Sequence, residues 1–302
     1  MKTETREAIK PLLLSMLMPG LGQIYNGSVE KAGAFFLGFA AAVPLAAYLS
    51  HGLGELLIVG VVFGIFCAIG AYLYACVDAF RGGNRQPDRD RPHLGLPVYI
   101  SLFVMAYGLI LHPLTSHIRA SVLESYYAPS ASMTPNLLEG DLFFADKSVN
   151  RPGTRPIRRG DIVLFINPDN RTTIFVKRVV GLPGDTVTIK DGILTVNGNK
   201  MTVIPPHAQK AHWVSTEQTD TTSHYEVLWP DSMAKIDLER RVPHGTVFVL
   251  GDNRGAAKDS RHFGPIPSEN VVGIAKQVFW SKHAAADRIG TWLDLNGASN
   301  DG

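Results

Sequence analysis

The chain is short of cysteine and of charge. Its 302 residues include two cysteines, Cys67 and Cys76, both inside an apolar run. That placement excludes a disulfide framework, and two thiols without neighbouring histidines make a poor zinc site. Charged residues make up 19 % of the sequence against 45 % apolar, below the roughly one quarter usual for soluble domains. The formal net charge of +2 is too small to argue for nucleic acid, and no basic block with interleaved aromatics occurs. There is no internal repeat and no low-complexity tract. Metal-ligand spacing is missing as well. His207, His212, His224, His244 and His262 fall in polar stretches without a His-Glu-x-x-His or similar pattern, so no metal site is expected.

What is present is unevenly distributed. Residues 1–114 are far more apolar than the rest. Ala32 to Leu49, Leu56 to Val77 and Gly95 to Leu111 are nearly uncharged and long enough to cross a bilayer as helices, the third near the lower limit. A shorter apolar piece, Leu12 to Met18, is cut off by Pro19, Gly20 and Gly22 and reads as an interfacial or re-entrant segment. No small-x-small site follows it, so it is not read as a cleavable signal peptide. The phrase Pro19-Gly20-Leu21-Gly22-Gln23-Ile24-Tyr25-Asn26-Gly27 resembles a motif of small multi-span membrane proteins and carries no evident chemistry. The loop from Arg81 to Arg91 also holds Arg85 and Arg89, so the positive-inside rule makes it cytoplasmic. Counting through the spans puts the N-terminus in the cytoplasm and everything after Thr115 outside.

After Thr115 the texture becomes that of strands. Asp161–Ile166, Thr173–Val180, Thr186–Ile189, Ile193–Val196, Val247–Leu250 and Val271–Trp280 are short, apolar and rich in β-branched residues. Asp191-Gly192 and Asn197-Gly198 are turn signals of the tight hairpin kind. Many short strands with close turns imply a closed or folded-over antiparallel sheet. A helix is indicated only weakly, near Ala284 to Leu293. Residues 201–243 are polar and weakly periodic and read as an insertion or smaller subdomain. The expected architecture is a multi-span α-helical membrane anchor (1–114) followed by a mainly antiparallel β domain (115–302) with a smaller inserted β subdomain.

A serine hydroxyl needs a base beside it and donors for the oxyanion. A buried lysine can serve as that base, because desolvation disfavours its charged form. Ser132 lies in Pro129-Ser130-Ala131-Ser132-Met133-Thr134-Pro135, where the two prolines imply an exposed, stiff turn. Lys177 lies in the apolar strand Ile174-Phe175-Val176-Lys177-Arg178-Val179-Val180. Strand neighbours face opposite ways, so Lys177 and Arg178 either straddle the sheet with one pointing inward, or both sit solvated on an edge strand.

Four segments in order resemble the conserved boxes of the type I signal peptidases: PSASMTPNLLEGD at Pro129–Asp141, Arg159–Val163, FVKRVVGLPGD at Phe175–Asp185, and GDNRGAAKDSRHFG at Gly251–Gly264. The resemblance implies a Ser/Lys dyad with Ser132 as nucleophile and Lys177 as general base. Ser130 matches the family's hydroxyl donor to the oxyanion, with the Ser132 N–H as second donor. Met133 is expected to pack near the dyad, and Asp252, Asn253, Arg254, Asp259 and Arg261 to support the site. One departure stands out. Where the family usually has a serine that bonds the lysine, this chain has Ala257, so another group, a water or Ser260, is expected to position Lys177. Asn136 replaces a common threonine.

The implied activity is serine endopeptidase cleavage of signal peptides from secreted preproteins, without metal or organic cofactor. The enzyme is expected in the plasma (inner) membrane, multi-pass, with its catalytic domain extracytoplasmic. Its partners are then preproteins and the lipid bilayer, not nucleic acid. An extended peptide adding to a strand edge presents alternate side chains to pockets, which explains small residues at the first and third positions before the cut. Two alternatives share the sequence features: a specialised peptidase that matures a pilin or transfer protein, and a non-catalytic membrane-anchored binding protein.

Overall fold

In the computed structural model, the described residues are 4–51, 57–85, 94–149, 154–209, 212–220, 223–230, 237–283, 288–291 and 293. They form two compact units that divide between Ile118 and Arg119. The basic residues Arg89 and Arg91, and Leu56 at the start of the second apolar run, lie outside the described residues.

The first unit is helical: α1 (Glu4–Leu17), α2 (Leu21–Tyr25), α3 (Val29–His51), α4 (Leu57–Arg85), α5 (Leu96–Ala106) and α6 (His112–Ser121), the last two joined through a π-helical turn at Tyr107–Leu111. Three stretches, Val29–Ala46, Ile58–Asn84 and Leu96–Ile118, are long and apolar enough to cross a membrane. Their outward faces carry Leu37, Phe63, Phe66 and Leu109, each more than half exposed. A helix that is apolar on its outer face needs an apolar solvent. The third stretch runs past the Leu111 limit read from hydropathy. His112, Thr115, Ser116 and His117 dilute the apolar signal, but the helical backbone continues and Thr115 Oγ1 donates back to the Leu111 carbonyl at 2.9 Å.

The Pro19–Gly27 phrase gains a structural role. Gln23 Nε2 donates to Ala75 O at 2.7 Å and Asn26 Nδ2 to Ala79 O at 2.8 Å, so two amides clamp α2 onto α4. Gly22 allows this approach, since a Cβ there would stand 2.1 Å from Pro11 O of α1. Interhelical hydrogen bonds and small residues are the means by which helices associate where lipid removes the hydrophobic drive.

The second unit is built of antiparallel strands. Its main sheet has the order β1 (Leu123–Tyr127), β2 (Leu142–Asp146), β14 (Val271–Trp280), β3 (Ile162–Ile166), β4 (Ile174–Gly181), β12 (Thr246–Leu250) and β13 (Ile266–Pro267). Along β3 and β12 alternate residues enter different cores. Val163, Phe165, Val247 and Val249 join one cluster, whereas Ile162 and Leu164 join a second and Phe248 and Leu250 a third. Both faces of the sheet are therefore covered. A second sheet has the order β11 (Leu238–Arg241), β5 (Thr186–Lys190), β6 (Ile193–Val196), β7 (Asn199–Lys200), and a third β10 (His224–Trp229), β9 (His212–Gln218), β8 (Thr202–Gln209). Asp191-Gly192 turns β5 into β6 and Asn197-Gly198 turns β6 into β7, with positive φ at all four residues as tight hairpin turns require.

Residues 201–243 thus hold β8 to β11. Tyr225, Val227 and Trp229 share a core with Val187, Leu194, Phe248 and Leu250 rather than enclosing one of their own. The helix indicated near Ala284–Leu293 is not found where residues are described. Arg288–Gly290 form a turn, and Thr291 and Leu293 pair with β14 through Val278 N to Thr291 O at 3.0 Å and Leu293 N to Lys276 O at 2.7 Å. Residues 284–287 lie outside the described residues.

Candidate active site

Ser132 lies in a single 3-10 turn, Ala131–Met133, between β1 and β2. The prolines do impose a turn, but Ser132 is buried, at 8 % exposure, while Ser130 beside it is exposed. Met133 anchors the turn from below, in one core with Leu137, Phe143 and Ile162. The backbone of the next loop grips it from the other side. Asn253 N donates to Ser132 O at 3.1 Å and Asn253 Nδ2 to Ala131 O at 3.2 Å. Gly251 comes so near that an added Cβ would stand 2.7 Å from Ser132 O and 2.2 Å from the Ala257 Cβ.

Lys177 and Arg178 are both buried, at 4 % and 1 % exposure. They face opposite ways, as strand alternation requires, but both are buried rather than one, and neither is solvated on an edge; the reason is tertiary. β4 runs between β3 and β12, so it has no edge, and clusters cover both of its faces. Lys177 Nζ donates to Ser132 Oγ at 2.9 Å and to Val176 O at 2.8 Å, and lies 5.3 Å from the Phe175 ring centre. Burial pushes its pKa down from 10.5 to about 8; the carboxylates of Asp259 and Asp252 pull it up, and Arg261 adds to the fall. A cleft of about 310 Å³ opens onto the pair, lined by Ser130, Ser132, Met133 and Lys177 together with Ile174 and Ala256.

The lysine is held by the Val176 carbonyl. Ser260 does not take the part suggested for it: its hydroxyl accepts from Val249 N at 3.0 Å. Ser130 Oγ donates to Ser132 Oγ at 3.2 Å, which puts a second hydroxyl beside that of Ser132.

Arg178 points to the opposite face and pairs with Asp252 through two bonds, Nε to Oδ1 at 2.8 Å and Nη2 to Oδ2 at 2.7 Å, while Nη1 donates to Gly160 O at 2.8 Å. Asn136 Nδ2 gives Asp252 a further bond at 2.8 Å. Asp259 caps α7 (Ser260–Phe263) and accepts from Gly251 N at 2.9 Å and from Arg261 Nε at 2.8 Å. Arg261 Nη2 reaches Arg254 O at 2.8 Å. Asp252, Asn253, Arg254, Asp259, Ser260 and Arg261 are therefore brought together, as braces of the 251–261 loop. None of them bonds Ser132 Oγ or Lys177 Nζ.

Sequence reading missed Glu217 and Tyr225. Glu217 is fully buried and takes Arg254 Nη2 at 2.7 Å and Tyr225 OH at 2.9 Å on the same oxygen. Burial first, and then the Glu217 charge, push the Tyr225 phenol well above its usual range, which keeps it a donor. Ser215, Glu217 and Thr219 are the inward positions of β9 and the residue after it, all buried. Because these inward residues are polar, they interrupt the hydrophobic alternation that Trp213, packed against the same core, would otherwise begin. Arg288 was missed too; it donates to Pro135 O at 3.4 Å and Asn136 O at 3.2 Å, just beyond the nucleophile's turn.

Among the described residues no group of three or more His, Cys, Asp or Glu is placed to hold a metal ion. The arrangement sets a buried serine hydroxyl against a desolvated amine, with a second hydroxyl at hand, a combination able to support nucleophilic chemistry.

A family model described as signal peptidase, peptidase S26, matches residues 98–280. The chain belongs to the signal peptidase family. The match contains Ser130, Ser132, Lys177 and the whole 251–264 loop. Signal peptidase I V of Bacillus subtilis is 38 % identical over 167 residues, covering 55 % of this chain and 92 % of that protein. Signal peptidase I of Leptolyngbya laminosa is 30 % identical over 203 residues, covering 65 % and 86 %. A crystal structure of signal peptidase I from Enterococcus faecalis is 29 % identical and covers 40 % of this chain and 97 % of that one, with a TM-score of 0.26.

Proposed function

We propose that this member of the signal peptidase family is a membrane-anchored serine endopeptidase that removes signal peptides from secreted preproteins through a Ser132–Lys177 dyad. The observation that carries the dyad is the 2.9 Å contact between Lys177 Nζ and Ser132 Oγ, with both side chains buried and the lysine pushed down to about 8. Neutral Lys177 takes the Ser132 proton as Oγ attacks the scissile carbonyl. The oxyanion is received by Ser130 Oγ and the Ser132 N–H. Lys177 returns the proton to the leaving amine; the neutral Lys177 then takes a proton from water as it attacks the acyl-enzyme and passes that proton to Ser132 Oγ as the ester breaks.

Residues 1–114 form a multi-pass anchor in the plasma (inner) membrane, and 115–302 form the extracytoplasmic peptidase domain, in which 201–243 are an inserted β subdomain. The apolar helices and the basic run from Arg81 support this topology. Anchoring confines enzyme and substrate to one bilayer and so raises their effective concentration. A reporter fused after Gly302 is expected to be active outside the cytoplasm; activity confined to the cytoplasm overturns the topology.

The enzyme in detergent is expected to cut a model preprotein after a small residue, as read by mass spectrometry of the products. Its rate rises with pH through about 8 and then levels, because the base acts only when unprotonated. A folded enzyme inert on several preproteins overturns the peptidase reading in favour of a binding role.

A further inference from the structure

The third sheet contributes one charged group to the floor of the site, and it belongs to none of the four family-like boxes. We propose that Glu217 is a positioning residue for the peptidase reaction: its carboxylate fixes Arg254, and Arg254 fixes the loop that holds the backbone of Ser132. This rests on the reading of Ser132 as nucleophile.

The connection is short and continuous. Glu217 Oε2 accepts from Arg254 Nη2 at 2.7 Å, and Arg254 Nε donates to Gly251 O at 2.9 Å. Gly251 is packed against Ser132 O, and Asn253 N donates to that same oxygen at 3.1 Å. The loop is also stitched to β10: Leu228 N donates to Asp252 O at 2.8 Å and Arg254 N to Leu228 O at 2.7 Å. Tyr225, the cross-strand partner of Glu217, closes a circuit. Its hydroxyl donates to Glu217, and its ring lies 4.1 Å from the Arg178 guanidinium, which holds Asp252. Carboxylate, tyrosine and both arginines are almost wholly buried, so a displacement at Glu217 has no slack in which to dissipate.

Stability alone does not account for this pair. Burying an ion pair is costly, and an apolar pair of similar volume commonly stabilises as well or better. The Glu217–Arg254 pair is moreover held by a single oxygen, and among the described residues Glu217 Oε1 and Arg254 Nη1 have no hydrogen-bond partner. What an apolar pair cannot supply is the donor to Gly251 O.

The cleft that opens on Ser132 and Lys177 is lined by neither Glu217 nor Arg254, so the effect falls on the chemical step rather than on binding. Full-length enzyme in detergent is assayed on a model preprotein, with wild type and Ser132→Ala as references. Glu217→Gln is expected to lower kcat by about 10- to 100-fold, the scale of a misplacement of order 1 Å, with KM within about twofold. The double variant Glu217→Met, Arg254→Met removes both buried charges and is expected to melt close to wild type while kcat stays as low as in Glu217→Gln. Unchanged kcat in folded Glu217→Gln, or recovery of kcat along with melting temperature in the double variant, overturns the proposal and leaves Glu217 a structural residue. If wild type is inert, or Ser132→Ala still cuts, the peptidase reading itself fails and this proposal falls with it.

Discussion

Lys177→Met and Ser132→Ala are each expected to abolish preprotein cleavage, with kcat at least ~10⁴-fold below wild type. Both residues act in one proton transfer, so the double variant is expected to be no slower than either single one. Methionine is the informative replacement for Lys177. It fills a similar volume beside Phe175 and Val176 but carries no ammonium to desolvate. The Lys177→Met protein should therefore melt at or above the wild-type temperature while being inactive. Loss of activity with a large fall in melting temperature would point instead to misfolding. Cleavage by Lys177→Met within about tenfold of wild type would remove the lysine from the mechanism. So would an ascending pH limb that persisted in that variant's residual activity.

The second large effect is on stability. Asp252→Ala is expected to cost about 3–5 kcal/mol, because it leaves Arg178 charged and 1 % exposed with its two bonds to carboxylate gone. For a domain of this size that lowers the melting temperature by about 6–20 °C. The contrast is the pair Lys258–Asp169, whose side chains are 57 % and 53 % exposed. Asp169→Ala is expected to cost less than about 1 kcal/mol, because solvent already screens that pair. Thermal melts of the two variants in the same detergent test the difference. Equal melting temperatures would mean that Arg178 finds another partner or is reached by water. Asp252→Ala is also expected to slow cleavage, since the 251–254 loop bears directly on Ser132 O.

Much of the site was readable along the chain because its chemistry is concentrated in short segments. A serine between prolines and a lysine in an apolar strand leave the reading open when taken alone; both lie in segments that resemble one family in order, and it is that order that marks them. The Asp-Gly and Asn-Gly turns were equally legible, since they are local and only residues that tolerate positive φ adopt them cheaply. The strands β1, β2 and β8 to β10 were not foreseen individually. In β9 the reason is visible: Ser215 and Glu217 are polar residues on the buried face and interrupt the alternation that betrays a half-buried strand. The end of the third helix was misjudged for a related reason. Hydropathy reports what surrounds a segment, not whether its backbone continues to coil.

By itself the sequence determined which groups are available: two hydroxyls, an amine in an apolar strand, and an apolar half with stretches long enough to cross a bilayer. It also determined the local turns, because these depend on neighbours in the chain. Only the tertiary structure decided that Lys177 and Arg178 are both buried, since β3 and β12, the latter from a distant part of the chain, remove the edges of β4 and separate core clusters cover its two faces. The depressed lysine pKa follows from that burial and not from any residue beside it in sequence. The tertiary structure likewise decided that Lys177 donates to a carbonyl of its own strand, and that the backbone of Ser132 is braced by a loop held from a separate sheet. Contacts between residues far apart in the chain leave no local pattern, and in this protein they set the geometry and the charge state of the site.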